Sequence, residues 1–368
     1  MQMQDLLTPL VPSEPVPIAP SLLAWFEDHG RKDLPWQQDI NPYRVWVSEI
    51  MLQQTQVITV IDYYQRFMDR FPTLQSLAAA PIDDVLHLWS GLGYYSRARN
   101  LHRAAQTVVS QHDGEFPRCV EGLTDLPGIG PSTAGAIASI SMGLRAPILD
   151  GNVKRVLTRY HAIEGWPGTS SINRELWAWA AYHTPHDRVA HYTQAIMDLG
   201  ATLCRRSQPD CPRCPLRSNC AGLAEGRPER YPFPKPRVVK PVRNTHLLVL
   251  RNDSGDILLE QRPPSGLWGG LWTLPECDDP QHIDSHCLAL GFEPQAIEHG
   301  DKRRHSFSHY HLDYIPVLVD VAPAQAAAGL TAMDEPQRVW YNPHEGQRIG
   351  LPAPISKLIQ QIHTTERP

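Results

Sequence analysis

Residues 227–241 contain five prolines, Pro228, Pro232, Pro234, Pro236 and Pro241. Each fixes φ near about −65° and lacks an N–H, so neither a helix interior nor a central strand can run through this stretch. It is therefore a semi-rigid extended connector, and the chain must build separate structures before and after it. Two domains also suit the length, because 368 residues exceed one ordinary hydrophobic core. Arg227, Arg230, Lys235, Arg237, Lys240 and Arg243 face a single acid, Glu229, along the connector. A plain tether and a strip that follows a phosphate backbone both fit that pattern.

The hydrophobic period changes across the connector. Before it, Val45–Gln54, Val57–Phe71, Ser96–Gln111, Thr133–Met142 and Val189–Leu203 carry apolar residues at three- and four-residue spacing. Asn41-Pro42, Phe71-Pro72, Ala80-Pro81, Gly91-Leu92-Gly93 and Pro127-Gly128-Ile129-Gly130 punctuate them as turns. This predicts an all-α domain over residues 21–225, preceded by a flexible, proline-punctuated segment over 1–20. After the 226–243 connector, His246–Leu250, a turn at Asn252–Gly255 and Ile257–Leu259 predict a hairpin. Further strands are expected at Tyr314–Val321 and Arg338–Tyr341, giving an α+β domain over 244–368.

No apolar run approaches the roughly 20 residues of a membrane span. No basic segment followed by an apolar core marks a secretory signal. The formal net charge of −5 argues mildly against nucleic acid, but placement of basic residues outweighs the sum. Seven cysteines are too few for a disulfide framework in a chain this long. Four of them cluster, which favours a reducing compartment, and a cytoplasmic location is expected.

That cluster is Cys204, Cys211, Cys214 and Cys220, with six, two and five residues between successive members. Four thiolates in one short loop can close around a metal centre without long-range chain closure. A structural zinc site usually presents two close pairs, and only Cys211 and Cys214 form one. Arg205, Arg206, Arg213 and Arg217 lie within the loop; they either face DNA phosphate or offset the anionic centre. Cys119, Cys277 and Cys287 fit no ligand pattern.

Two acids stand out in the helical half. Leu126-Pro127-Gly128-Ile129-Gly130 is a turn whose glycines permit close backbone approach and whose free N–H groups suit a phosphate. Asp150 follows, at the start of a predicted helix, where an N-cap role and a catalytic role are compatible. Glu49 sits in the apolar run Val45–Gln56, where desolvation would favour the protonated acid. The same spacing also permits a surface glutamate.

Taken together, the Leu126–Gly130 hairpin, Asp150 and the Cys204–Cys220 loop resemble the helix-hairpin-helix superfamily of DNA glycosylases, which includes endonuclease III. The segments Trp46–Gln56, Gly91–Asn100 and Leu149–Arg155 look like the MutY-type adenine DNA glycosylases, and the match runs from about Trp25 into the C-terminal domain. The resemblance implies two helical subdomains flanking a DNA-facing cleft, with a [4Fe–4S] cluster on the four cysteines. It implies that Glu49 protonates adenine, Asp150 stabilises the cationic sugar, and Asn152 helps hold sugar, water or Asp150. Gln53 and Tyr94 would wedge into the duplex, and Leu126, Gly128, Gly130 and Ser132 would meet DNA at the hairpin. Bifunctional relatives carry a lysine at the position of Ser132. A hydroxyl cannot form a Schiff base, so a monofunctional enzyme with water as the nucleophile is expected.

In the C-terminal half, Gly266–Glu276 resembles the start of a Nudix box, with Gly270 and Glu276 at the right separation. Its metal-binding continuation fails, because Asp284, Ser285, Leu288 and Ala289 replace the expected residues. Recognition is then favoured over nucleotide hydrolysis. Arg304–His311 looks like the MutY loop that recognises 8-oxoguanine, with Phe307 as a wedge and Ser308 and His309 as hydrogen-bonding groups. His305, His309 and His311 as metal ligands, or as the wet face of a strand, are the competing readings. The expected partner is double-stranded DNA with A·8-oxoguanine or A·G mispairs, bound by a monomer without membrane association. Rival functions are an endonuclease III-like glycosylase for oxidised pyrimidines, a Nudix hydrolase with a DNA-binding module, and a non-enzymatic iron–sulfur DNA-binding protein.

Overall fold

The computed structural model describes residues 16–236, 239–264, 266–324, 337–342, 344 and 347–365. Residues 1–15 of the expected N-terminal segment lie outside that set. Ala19 and Pro20 already belong to the first helix, where Pro20 fills an early position that needs no N–H donor. Packing divides the chain into two units. One comprises residues 1–79 and 100–237; the other comprises 80–99 and 238–368.

The first unit is helical: α1 (Ala19–His29), α2 (Pro42–Leu52), α3 (Val57–Arg70) and α4 (Leu74–Ala78) precede the break. The second unit then takes α5 (Ile82–Trp89) and the start of α6 (Ser96–Gln111). The first unit resumes with α7 (Val120–Thr124), α8 (Pro131–Met142), α9 (Gly151–Tyr160), α10 (Ser170–His183), α11 (Val189–Thr202) and α12 (Ala221–Ala224). The sequence-derived helices match these to within a few residues. Leu22, Phe26, Leu157, Leu176, Ile196 and Leu199 form part of one core shared by α1, α9, α10 and α11. Burying a Leu or Phe side chain in such a core is worth about 1.5–3 kcal/mol, so this core fixes α1 against α11, two elements far apart in sequence. Among the described residues no helix is long and apolar enough to cross a membrane.

The second unit is built on a mixed sheet. Its strands are β1 (Val242–Arg251), β2 (Ile257–Gln261), β3 (Trp272–Thr273), β4 (Glu276–Cys277), β5 (Phe292–His299), β6 (Arg303–Ser306), β7 (His311–Pro323) and β8 (Arg338–Tyr341). The order is β3-β2-β1-β7-β5, with β4 on β1, β6 on β7 and β8 on β2. β1 and β7 run parallel, Val242 opposite His311, and the other pairs are antiparallel. β1 begins at Val242, two residues before the boundary expected at 244, because its pairing with β7 starts directly after the last connector proline. α13 (Ile283–Ala289) and α14 (Ala353–Thr365) complete the unit. Leu248, Leu250, Cys287, Val317 and Val319 form its core. α5 and the following turn belong here through contacts such as the Tyr95 hydroxyl donating to the Leu351 carbonyl at 3.1 Å.

Candidate active site

Glu49 stands on α2, whose N-terminus is set by Pro42 and by the Asn41 side chain accepting from the Arg44 N–H at 3.0 Å. The helix buries Tyr43, Val45, Trp46, Val47, Ile50 and Met51, so Glu49 is embedded in an apolar surface. It lines a cavity of about 240 Å3 together with Arg31, Trp36, Ile140, His191 and Gln194. One water needs only roughly 10–15 Å3 by this measure, so the cavity admits a flat aromatic ring. Burial pushes the Glu49 carboxyl up to about 8, and the nearby Asp150 charge adds to the rise. The desolvated-acid alternative therefore holds over the surface one.

Asp150 is the N-cap of α9 and accepts from the Val153 N–H at 2.8 Å. Burial raises its pKa, while the Val153 and Asn152 N–H groups, the Arg155 charge and the Asn152 side chain act against that rise. The positive end of the α9 dipole likewise favours the anion. Asn152 Nδ2 donates to Asp150 Oδ2 at 3.3 Å, and Arg155 Nη2 donates to Asn152 Oδ1 at 2.8 Å. Arg155 also donates to the carbonyls of Cys204 and Gly200. A protonated acid beside a helix-capped carboxylate, at the wall of a base-sized cavity, can divide the roles of acid and anion in cleaving a sugar–base bond.

The hairpin places its residues differently from one another. Gly128 has φ +78°, and a Cβ there would lie 2.6 Å from Asn100 Cβ, so glycine is required. Gly130 caps α8, with Pro131 following it. The Leu126 side chain is buried, its N–H donates to the Leu123 carbonyl and its carbonyl accepts from the Ile129 N–H. Ser132 turns inward: the Leu149 N–H donates to its hydroxyl at 3.0 Å, which fixes the residue preceding Asp150. Gln53, just past α2, donates to the Thr133 hydroxyl at 3.3 Å and so packs at the start of α8.

Cys204, Cys211, Cys214 and Cys220 line one cavity, with Arg159 at its wall. Arg159 is almost fully buried; it donates to Cys204 Sγ at 3.3 Å and to the carbonyls of Arg205, Arg206 and Tyr231. The compensating arginine thus comes from α9. Arg213 instead pairs with Asp210, and Arg217 with the Pro212 carbonyl. Sequence reasoning missed Arg159 and Arg155; their only signal was a basic pair at helical spacing after Asp150. Burial pushes the Cys214 thiol up to about 12, a cost that bonding to a metal centre would reverse. Among the described residues no three His, Cys, Asp or Glu side chains are arranged to hold a single ion. The four thiols line one cavity and fit a centre that takes all of them as ligands.

In the second unit, Tyr94 is half-exposed with φ +48°, between Gly93 at φ +73° and α6. Arg97 donates to the carbonyls of Leu92 and Gly93 at 3.2 and 3.1 Å and lies over the Trp89 and Tyr94 rings. It is therefore a brace for this turn. Phe307, Ser308 and His309 form the tip between β6 and β7, closed by the Phe307 N–H donating to the Tyr310 carbonyl at 2.9 Å. Arg304 and Asp313 pair in bidentate fashion below it. Ser308 and His309 are exposed, whereas Phe307 stacks on Tyr310 and packs edge-on against His305 and Trp268. All three line a cleft that also holds Tyr94, Arg99 and Arg243. The Nudix-box Glu276 is occupied by Arg243 and Arg262, so it is neutralised by arginine instead of facing a metal. Cys277 and Cys287 are buried in the core of this unit.

Comparison with known proteins finds a separate family for each half of the chain. Residues 47–181 match the HhH-GPD superfamily of base excision DNA repair proteins, and residues 246–361 match the NUDIX domain family. The adenine DNA glycosylase of Buchnera aphidicola from Acyrthosiphon pisum is 35% identical, over 93% of this chain and 96% of its own. The human adenine DNA glycosylase is 37% identical, over 80% of this chain and 65% of its own. A solved thermostable thymine-DNA glycosylase superposes with a TM-score of 0.52 and 24% identity, covering 56% of this chain and 95% of its own, which speaks to the fold alone.

Proposed function

We propose that this chain, which belongs to the adenine DNA glycosylase family, excises adenine mispaired with 8-oxoguanine or guanine from double-stranded DNA and leaves the sugar–phosphate backbone intact. The observation that carries this reading is Glu49, an acid still protonated near neutral pH, beside the helix-capped Asp150 at the wall of a base-sized cavity. An adenine inside a duplex cannot be reached, so it must be rotated out of the stack to enter. Glu49 then protonates N7, and the C1′–N9 bond breaks with its electron pair passing to the base, which leaves as neutral adenine. Asp150 stabilises the cationic sugar, and water adds at the anomeric carbon, passing its proton to the carboxylate that Glu49 has become. Ser132, engaged by the Leu149 amide, supplies no amine for a lyase step.

The duplex partner would meet the N–H groups around Gly128 and Gly130, with Gln53 and Tyr94 beside the extruded base. Phe307, Ser308 and His309 would read the opposite, oxidised base; the exposure of Ser308 and His309 on a braced hairpin, with Phe307 packed on Tyr310, supports this. Cys204, Cys211, Cys214 and Cys220 would hold a [4Fe–4S] cluster, which when bound supplies a structural clip for residues 204–220. Arg159 and Arg155 tie that loop to α9 and hence to Asp150. A cytoplasmic monomer fits the cysteine usage and the family.

Glu49→Gln and Asp150→Asn test the reading. Each should bind an A·8-oxoguanine duplex close to wild type in a fluorescence-anisotropy titration, yet release adenine at least about 100-fold more slowly in single turnover. Full adenine release by Glu49→Gln, with binding intact, would overturn the assignment.

A further inference from the structure

Arg31 and Gln194 face the cavity beside Glu49, and both are held by a residue that does not line it. Asp198 lies one turn beyond Gln194 on α11, and its side chain is fully buried. It accepts the Arg31 backbone N–H at 2.8 Å, Arg31 Nε at 3.0 Å, Arg31 Nη2 at 2.6 Å and Gln194 Nε2 at 3.1 Å. A carboxylate paired with arginine can only accept hydrogen bonds. The Gln194 amide therefore has one permitted orientation, with its NH2 on Asp198 and its carbonyl oxygen left for whatever occupies the cavity. The Arg31 guanidinium is similarly fixed, with its remaining N–H edge free to donate.

We propose that Asp198 is a positioning residue that sets the donor–acceptor code of the cavity, so that it accepts a 6-amino purine and rejects a 6-oxo purine. The inference rests on the reading of the cavity as the adenine site. The amino group of adenine donates to the Gln194 carbonyl, and its unprotonated ring nitrogens accept from Arg31. Hypoxanthine, which differs by an oxygen in place of the amine and a proton on N1, would put acceptor against acceptor and donor against donor. Glu49 can protonate N7 of either base, so it does not discriminate. Without Asp198 the amide is free to flip, and the code is lost.

The test is single-turnover release of adenine and of hypoxanthine, each opposite 8-oxoguanine, by wild type, Asp198→Asn and Gln194→Leu. The ratio of the two rates within one protein is compared between proteins, which cancels the intrinsic difference in leaving group. One misplaced buried hydrogen bond costs about 1–3 kcal/mol, or roughly 10- to 100-fold. Asp198→Asn should lower the adenine-to-hypoxanthine ratio by about 10-fold or more, because its amide can donate to a flipped Gln194. Gln194→Leu retains the Arg31–Asp198 pair and should lower the ratio as well, and it serves if Asp198→Asn does not fold. A ratio unchanged within twofold in Gln194→Leu would overturn the proposal. So would an unchanged ratio in a folded Asp198→Asn whose two rates had fallen equally, since a purely structural role predicts that pattern. Failure of wild type to release adenine at all would instead strike the adenine reading on which the proposal stands.

Discussion

Glu49→Gln should make the helical unit more stable than wild type, by a margin that grows with pH. The Glu49 carboxyl rises from its ordinary 4.5 to about 8 in the folded protein, chiefly through burial. The folded state therefore keeps a proton that the unfolded state releases. The stabilisation from that proton is complete below the unfolded value and is lost as pH climbs through the folded one. Each pKa unit corresponds to about 1.36 kcal/mol, so this one group removes roughly 2 kcal/mol of wild-type stability between pH 6 and pH 8. Glutamine has no proton to lose, so the gap in its favour should widen by that amount. For a unit of this size 1 kcal/mol moves the melting temperature by about 2–4 °C, which makes the widening roughly 4–8 °C. Melts followed by far-UV circular dichroism on both proteins at pH 6 and pH 8 would measure it. Parallel shifts, with the same gap at both pH values, would refute the claim that Glu49 is held as a protonated acid.

Gly128→Ala should cost at least about 1–2 kcal/mol, because a left-handed φ is imposed on a side chain and its Cβ would fall 2.6 Å from Asn100 Cβ; a lower melting temperature and weaker anisotropy-measured DNA affinity should appear together. Ser308→Ala, on an exposed tip, should leave the melting temperature unchanged and reduce the preference for adenine opposite 8-oxoguanine over guanine several-fold in single turnover. Cys214→Ser should abolish the visible absorbance and the iron and sulfide content of the purified protein, and weaken duplex binding, while retained iron at wild-type stoichiometry would remove Cys214 from the ligand set.

The parts legible in the sequence were those written in local pattern. Proline positions and a change of period separated helical from strand-bearing residues, and the Asn252–Gly255 turn placed the β1–β2 hairpin. Arg338–Tyr341 was read as a strand from its residues and is β8. Asp150 was visible as both cap and acid because capping depends on four successive residues. Glu49 was ambiguous, since one helix cannot show whether its polar position faces water or a cavity assembled by others. The base cavity itself was not legible: Arg31, Gln194 and Asp198 meet only because a core of α1 and α11 brings together residues more than 160 positions apart. Arg155 and Arg159 were missed for a related reason. An arginine on a helix reads as a solvated charge until its acceptors, backbone carbonyls in turns and loops, are known.

The central claim is adenine removal by hydrolysis, without strand cleavage. It is tested most directly by single-turnover reactions on duplexes carrying adenine opposite 8-oxoguanine, guanine or thymine, with a thymine-glycol duplex alongside, scored with and without alkali. Rapid adenine release opposite 8-oxoguanine is expected, with slower release opposite guanine, none opposite thymine, and strand breaks only after alkali. Strand cleavage without alkali, or turnover of thymine glycol in place of adenine, would contradict it.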